Sequence, residues 1–294
     1  MIPPAIAYLL LTITMALWGG ALVVARGVHE IAPPMALTFW RWLLALLILL
    51  PIVWRRLPTL RQASGGSIRP LLFVSVFMVL GTTLSVTAVN FTTAINATII
   101  NAAQAAMTAC VAFVVLKERL VLRQVVGIAC AFVGILVMVF RGDLAMLLHV
   151  AINWGDLVML AAIVCWALYA VGLHRAKHLP SGDLLLFVIS ATGVICLAPL
   201  YAAESLLSRS FVFSAGALGG IAYLAVASTV VAVYLWNLSI RAVGASRAGM
   251  FVNLIPVFGA VFAMLFLGER LYPFHVAGAL LVFAGIVMAV RRRA

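Results

Sequence analysis

LKERLVLRQVVGIACAFVGILVMVFR, residues 116–141, and LGERLYPFHVAGALLVFAGIVMAVRR, residues 267–292, align without a gap at an offset of 151. Eleven positions are identical: Leu116/Leu267, Glu118/Glu269, Arg119/Arg270, Leu120/Leu271, Val125/Val276, Gly127/Gly278, Phe132/Phe283, Gly134/Gly285, Ile135/Ile286, Val139/Val290 and Arg141/Arg292. Shared apolarity alone does not place a Glu-Arg pair and two glycines in register. The chain therefore contains an internal repeat. Weaker echoes lie upstream, where Trp18 corresponds to Trp166 and Asn90 to Asn237.

The solvent of this repeat follows from composition. Of the 294 residues, 66% are hydrophobic and 9% charged. A soluble domain is about half apolar and about a quarter charged. A water-facing enzyme is excluded, as are a disordered chain and a disulfide scaffold. A bilayer core of about 30 Å takes roughly 20 apolar residues per helix. Ten stretches qualify, at about 5–25, 35–54, 70–91, 94–116, 121–140, 154–173, 183–203, 215–238, 245–267 and 272–290. The expected fold is an all-α integral membrane protein with ten transmembrane helices. The first stretch lacks a basic leader and a small-residue cleavage site, so it reads as a retained helix.

Ten spans divide into two units, 1–143 and 144–294, of five helices each. Five is odd, so the second unit enters the membrane in the opposite orientation. Inverted repeats are a hallmark of secondary transporters, with substrate near the midplane between the halves.

The charge distribution supports this topology. Nineteen Lys and Arg against seven Asp and Glu give a formal charge of +12. In a soluble chain this would point to nucleic acid. Here fourteen of the nineteen fall in 55–69, 117–123, 174–182, 239–247 and 291–294, all on one side of the ten-span scheme. Four (Arg26, Arg141, Arg209, Arg270) fall on the other side, and Arg41 lies within the second span. The bias places both termini in the cytoplasm. It also accounts for the charge without a nucleic-acid partner.

Cys110, Cys130, Cys165 and Cys196 all lie in spans with no CxxC spacing, and the five histidines lie in loops or near span ends. No metal site and no cofactor are expected. The acidic residues Glu30, Glu118, Asp143, Asp156, Asp183, Glu204 and Glu269 also sit in loops or at span ends. Proton-coupled carriers commonly use a buried carboxylate or histidine relay. Proton coupling is accordingly expected to be weak or absent.

Polar groups in the bilayer usually face the bundle or a wet cavity. Thr83 stands in the third span, and Asn101, Gln104 and Thr108 share one face of the fourth. Their amides could hold both ends of a zwitterion, or simply join helices. Trp18, Trp166, Tyr169 and Tyr234 add aromatic surface, and Asn237 a further amide. These nine residues are the candidate substrate-binding set, and none is expected to be catalytic. Trp40, Trp42 and Trp54 lie nearer the span ends and are expected to be interfacial anchors. Gly19 and Pro256 weaken the helical ladders of their spans and are candidate hinges. Arg41 is expected to act structurally, bonding loop carbonyls or Glu30.

A set of ordered motifs carries a family resemblance. The second half reads Tyr223-Leu224-Ala225, Ser228, Tyr234-Leu235-Trp236-Asn237, Gly244-Ala245-Ser246-Arg247-Ala248, Leu254-Ile255-Pro256-Val257-Phe258 and Leu267-Gly268-Glu269-Arg270-Leu271. The first half reads Leu17-Trp18-Gly19, Phe39-Trp40-Arg41-Trp42 and Lys117-Glu118-Arg119-Leu120. The chain resembles the EamA-type branch of the drug/metabolite transporter superfamily along nearly its whole length. One departure is Ala105, which stands where Pro256 stands in the second half. The resemblance implies a central cavity built mainly by spans 1, 3, 4, 6, 8 and 9. It also implies a bacterial inner-membrane exporter of amino acids or similar small metabolites, working by alternating access. Multidrug, nucleobase or sugar transport is the alternative, and a polytopic membrane enzyme a more distant one. The expected partners are a small-molecule substrate and membrane lipids, with the chain acting as a monomer.

Overall fold

The computed structural model describes residues 2–28, 31–60, 68–88, 91, 104–117, 121–139, 154–176, 179–180, 182–208, 210–267 and 273–290. Among these residues we number ten helical segments. The first half contributes α1 (Pro4–Val28), α2 (Pro34–Val53, followed by a 3-10 stretch Trp54–Thr59), α3 (Arg69–Ala88), α4 (Gln104–Leu116) and α5 (Leu122–Val139). The second half contributes α6 (Trp154–Arg175), α7 (Asp183–Leu207), α8 (Ala215–Val243), α9 (Ala245–Phe251, a 3-10 turn Val252–Leu254, then Ile255–Leu267) and α10 (Pro273–Val290). No strand occurs among the described residues. Seven of the segments are long and apolar enough to cross a membrane, and shorter apolar helices lie at Leu122–Gly134 and Val276–Gly285.

The packing pattern maps onto itself when the halves are exchanged. Helix α5 packs on α10 and α2 on α7, each on its own counterpart. The pair α1/α8 is matched by α6/α3, and α1/α9 by α6/α4. The pair α3/α7 is matched by α8/α2, and α4/α9 again joins counterparts. Equivalent residues meet only near a two-fold axis. Cys130 donates its thiol to the carbonyl of Leu281 at 3.5 Å, 151 residues away, the same offset that aligns the two repeats. Trp18 and Trp166 likewise touch, with ring centroids 5.5 Å apart.

The helix ends of α2 and α7 are tied together in both directions. Pro34 at the start of α2 supplies a φ suited to a first turn, but no side chain caps it locally. Its free N–H groups instead meet the end of α7. Met35 N and Ala36 N donate to the two oxygens of Glu204 at 3.1 and 2.8 Å. A carboxylate there satisfies orphan donors and complements the helix dipole, worth roughly 1 kcal/mol. At the opposite end, Arg56 donates to both oxygens of Asp183 in the first turn of α7, each at 2.7 Å. That pair is exposed, so it contributes at most about 1 kcal/mol.

Large apolar side chains also cover the outside of the bundle. Leu122, Ile195, Leu265, Phe266, Leu280 and Phe283 are all strongly exposed. Such a surface fits lipid rather than water.

Several sequence expectations change here. The segment 239–247 was expected to be a loop, yet α8 runs to Val243 and α9 starts at Ala245, leaving Gly244 as the link. Gly244 has φ +88°, which an L side chain rarely adopts, so glycine permits this abrupt reversal. Trp42 is not an interfacial anchor: it is fully buried, packed against Gly193 of α7, whose lack of a side chain makes room for the indole. Trp54 is exposed, as an anchor would be. Arg41 is buried and its guanidinium sits 5.2 Å from the Trp42 ring centroid. Glu30, its expected partner, lies outside the described residues.

Candidate functional site

Helix α1 crosses α9 and α8 at the middle of the bundle. Close approach to α9 depends on Gly19. A Cβ there would come within 2.9 Å of Gly259 N and Phe258 Cβ. Between these helices Trp18 leans toward α8 and the second half. Its indole N–H donates to Ser228 O at 3.0 Å. That carbonyl belongs to a π-helical stretch, Leu224–Val231, where the i→i+4 ladder is broken. Thr229 Oγ1 donates five residues back to Leu224 O at 2.7 Å, and so satisfies a second carbonyl of the widened turn. Tyr223, just before it, donates its hydroxyl to Leu17 O on α1 at 3.2 Å.

Around Trp18 the aromatic rings form a continuous group. Trp166 meets it edge-on, and Trp236 packs at 5.3 Å. Trp166 in turn contacts Tyr169 at 6.0 Å. The Tyr169 hydroxyl donates to Asn237 Oδ1, and both residues are fully buried. Trp166 also fills the space above Gly81 of α3, where an added Cβ would lie 3.0 Å from its ring. Thus α1, α3, α6 and α8 all contribute to one aromatic and amide-bearing centre on the two-fold axis.

Of the expected site residues, Trp18, Trp166, Tyr169 and Asn237 fall together in this centre. Gln104 and Thr108 are buried on α4, with Thr108 packed 3.1 Å from the Cβ position of Gly249 on α9. Thr83 is buried and its hydroxyl has no partner among the described residues. Thr82, Ser85 and Thr87 differ, for each donates to the carbonyl four residues back. A hydroxyl so engaged is a helix-internal group first. Tyr234 is exposed and packs over Gly182, away from the centre. Asn101 lies outside the described residues. Pro256 stands two residues past the end of the 3-10 turn of α9, where the helix loses its regular ladder.

Sequence reasoning counted Trp236 only as aromatic surface, and passed over Arg241 and Asn253 as site residues. The Trp236 indole N–H is buried without a partner, as are both amide atoms of Asn253. Arg241 counted only as a cytoplasmic loop charge. It belongs to the last turn of α8, half-buried, and donates through Nη2 to Pro180 O at 2.9 Å. The spacing Asn237-x-x-x-Arg241 was the available signal, because i and i+4 share a helical face.

This arrangement, two pseudo-symmetric helical halves meeting at a buried polar centre inside an apolar exterior, defines a multi-pass membrane transporter. The EamA-like transporter family model matches residues 5–140 and 153–291. The chain belongs to that family, and is a transporter rather than an enzyme. It is 30% identical over 204 residues to the uncharacterized transporter YyaM of Bacillus subtilis, spanning 68% of this chain and 65% of that relative. An uncharacterized transporter of Archaeoglobus fulgidus is 28% identical across 97% of this chain and 98% of its own. A Salmonella typhimurium protein named "Probable amino-acid metabolite efflux pump" is 27% identical over 205 residues, 66% of each chain. A crystal structure at 16% identity superposes with a TM-score of 0.79, covering 97% of this chain and 96% of that one, which bears on the fold alone.

Proposed function

We propose that this protein exports amino acids or closely related small metabolites by alternating access about the Trp18–Trp166 contact. The observation that carries the reading is that contact itself, a pair of equivalent tryptophans meeting on the two-fold axis. In an inverted-repeat carrier the substrate site lies on that axis and the halves rock about it. The units exchanged are 1–143 and 144–294. The centre joins aromatic faces to a buried amide, a combination suited to an amphipathic organic solute. The name of the Salmonella relative supports amino-acid cargo. The positive-inside bias supports a bacterial inner-membrane location with both termini in the cytoplasm.

Among the described residues, the acidic groups whose side chains are placed, Asp183 and Glu204, bond at helix ends rather than mid-bilayer. This favours transport without proton coupling. The test is counterflow in proteoliposomes with a panel of amino acids, nucleobases and cationic drugs. Saturable exchange of amino acids, reduced at least about tenfold by Trp166→Ala and unaffected by a pH gradient, is the expected result. Exchange confined to nucleobases or drugs would move the reading to the alternative cargo.

A further inference from the structure

The polarity of the central site has a direction. Tyr169 donates to Asn237 Oδ1, which orients the amide with its oxygen toward the phenol. What remains is the Nδ2 donor, fully buried and without a partner. One residue earlier, the Trp236 N–H is buried and equally unpartnered. One turn later, Arg241 Nε is a third buried donor without a partner, while its Nη2 is held by Pro180 O. The guanidinium is also within electrostatic reach of the Tyr169 hydroxyl. Three unpartnered N–H donors thus lie within residues 236–241 of α8, one of them on a positive charge, while the nearby oxygens, Asn237 Oδ1 and Pro180 O, each already accept a hydrogen bond. Leaving a buried donor unpaired costs about 1–3 kcal/mol, and more for a charged one. Such a cluster is complementary to an anionic oxygen ligand.

We propose that Asn237 Nδ2, Trp236 Nε1 and Arg241 Nε form a carboxylate-binding pole. The transported solute then carries a carboxylate at the Arg241 end of α8 and lays its side group against Trp18 and Trp166. An ammonium on the same solute is served by the aromatic faces, through cation–π attraction. This inference rests on reading the aromatic centre as the transport site. Under the proposed topology Arg241 lies at the cytoplasmic end of that site, where an exporter takes up its cargo.

The experiment compares ligands that differ at one group. Full-length protein in proteoliposomes is challenged with L-phenylalanine, 3-phenylpropionate (carboxylate without ammonium) and phenethylamine (ammonium without carboxylate). Binding is followed in parallel by thermal shift of the detergent-solubilised protein. Both carboxylates are expected to bind at least about tenfold more tightly than the amine. Arg241→Gln is expected to collapse that preference, and Arg241→Lys to keep part of it. Asn237→Asp retains the oxygen for Tyr169 but adds a negative charge, so it is expected to turn the preference toward phenethylamine. A merely structural role would weaken all three ligands together. Equal binding of acid and amine by the unaltered protein overturns this inference alone. Failure of both series to bind or exchange overturns the amino-acid reading and this inference with it.

Discussion

Helices α3 and α8 occupy equivalent places in the two halves, yet they are built differently. Thr82 and Thr229 align in the repeat. In α3 the hydroxyl of Thr82 bonds four residues back, to Met78 O, and the helix stays regular. In α8 the hydroxyl of Thr229 bonds five residues back, and the turn widens into a π-helix. The neighbouring positions differ correspondingly. Gly81 of α3 offers Trp166 a flat surface, while Ser228 of α8 offers Trp18 a carbonyl. Asn237 has Asn90 as its counterpart, but Arg241 aligns with Ala94. A symmetric scaffold therefore supports an asymmetric site, with its hydrogen-bonding groups gathered on α8.

The same contrast recurs where α1 crosses α9. Gly19 meets Gly259 there, whereas the aligned positions in the other half are Ala167 and Thr108. Giving the first crossing the residues of the second tests whether close approach is needed. Gly19→Leu is expected to have the largest effect and to prevent folding, because its branched group must extend beyond a Cβ position that is itself only 2.9 Å from backbone on α9. Gly19→Ala, the residue at the aligned position, is expected to cost about 1–3 kcal/mol by overpacking, read from the midpoint of thermal unfolding in detergent.

Next in size is the pair of indoles. Trp18→Phe keeps a ring but removes the donor to Ser228 O, and is expected to slow exchange several-fold. Trp166→Phe loses no bond to the π-helical stretch and is expected to be milder. Equal effects would mean that the π-helical carbonyl does not distinguish the halves.

Smaller effects separate the two latches of α2 and α7. Glu204→Gln removes the charge facing the α2 N-terminus and is expected to cost roughly 0.5–1 kcal/mol. Arg56→Ala breaks the exposed ion pair and is expected to cost under about 1 kcal/mol, vanishing at high salt. Unfolding curves at low and high ionic strength distinguish them. A salt-insensitive loss from Arg56→Ala would show that the latch is better shielded than its exposure implies.

Much of this was legible in the sequence. The repeat at 116–141 and 267–292 implied two related halves, and the structure brings those segments together at the Cys130–Leu281 contact. Trp18 and Trp166 could be matched before their contact was seen. Other features could not be read. Trp42 looked interfacial by its position along the span, but Gly193 on another helix makes room for it. Arg241 looked like a loop charge because nothing local announces that Gly244 alone turns the chain. Glu204 looked like a loose end, since the N–H groups it satisfies lie 168 and 169 residues away.

Sequence alone determined the solvent, the number of apolar spans and the two-fold relation between the halves. These follow from composition and periodicity, which act additively along the chain. Only the tertiary structure decided which polar atoms find partners and which stay unpaired. That depends on the approach of helices to within a few ångströms, set by single glycines and one widened turn. In a membrane interior water cannot satisfy what the protein leaves open, and the unpaired donors on α8 are where the proposed carboxylate pole can be tested.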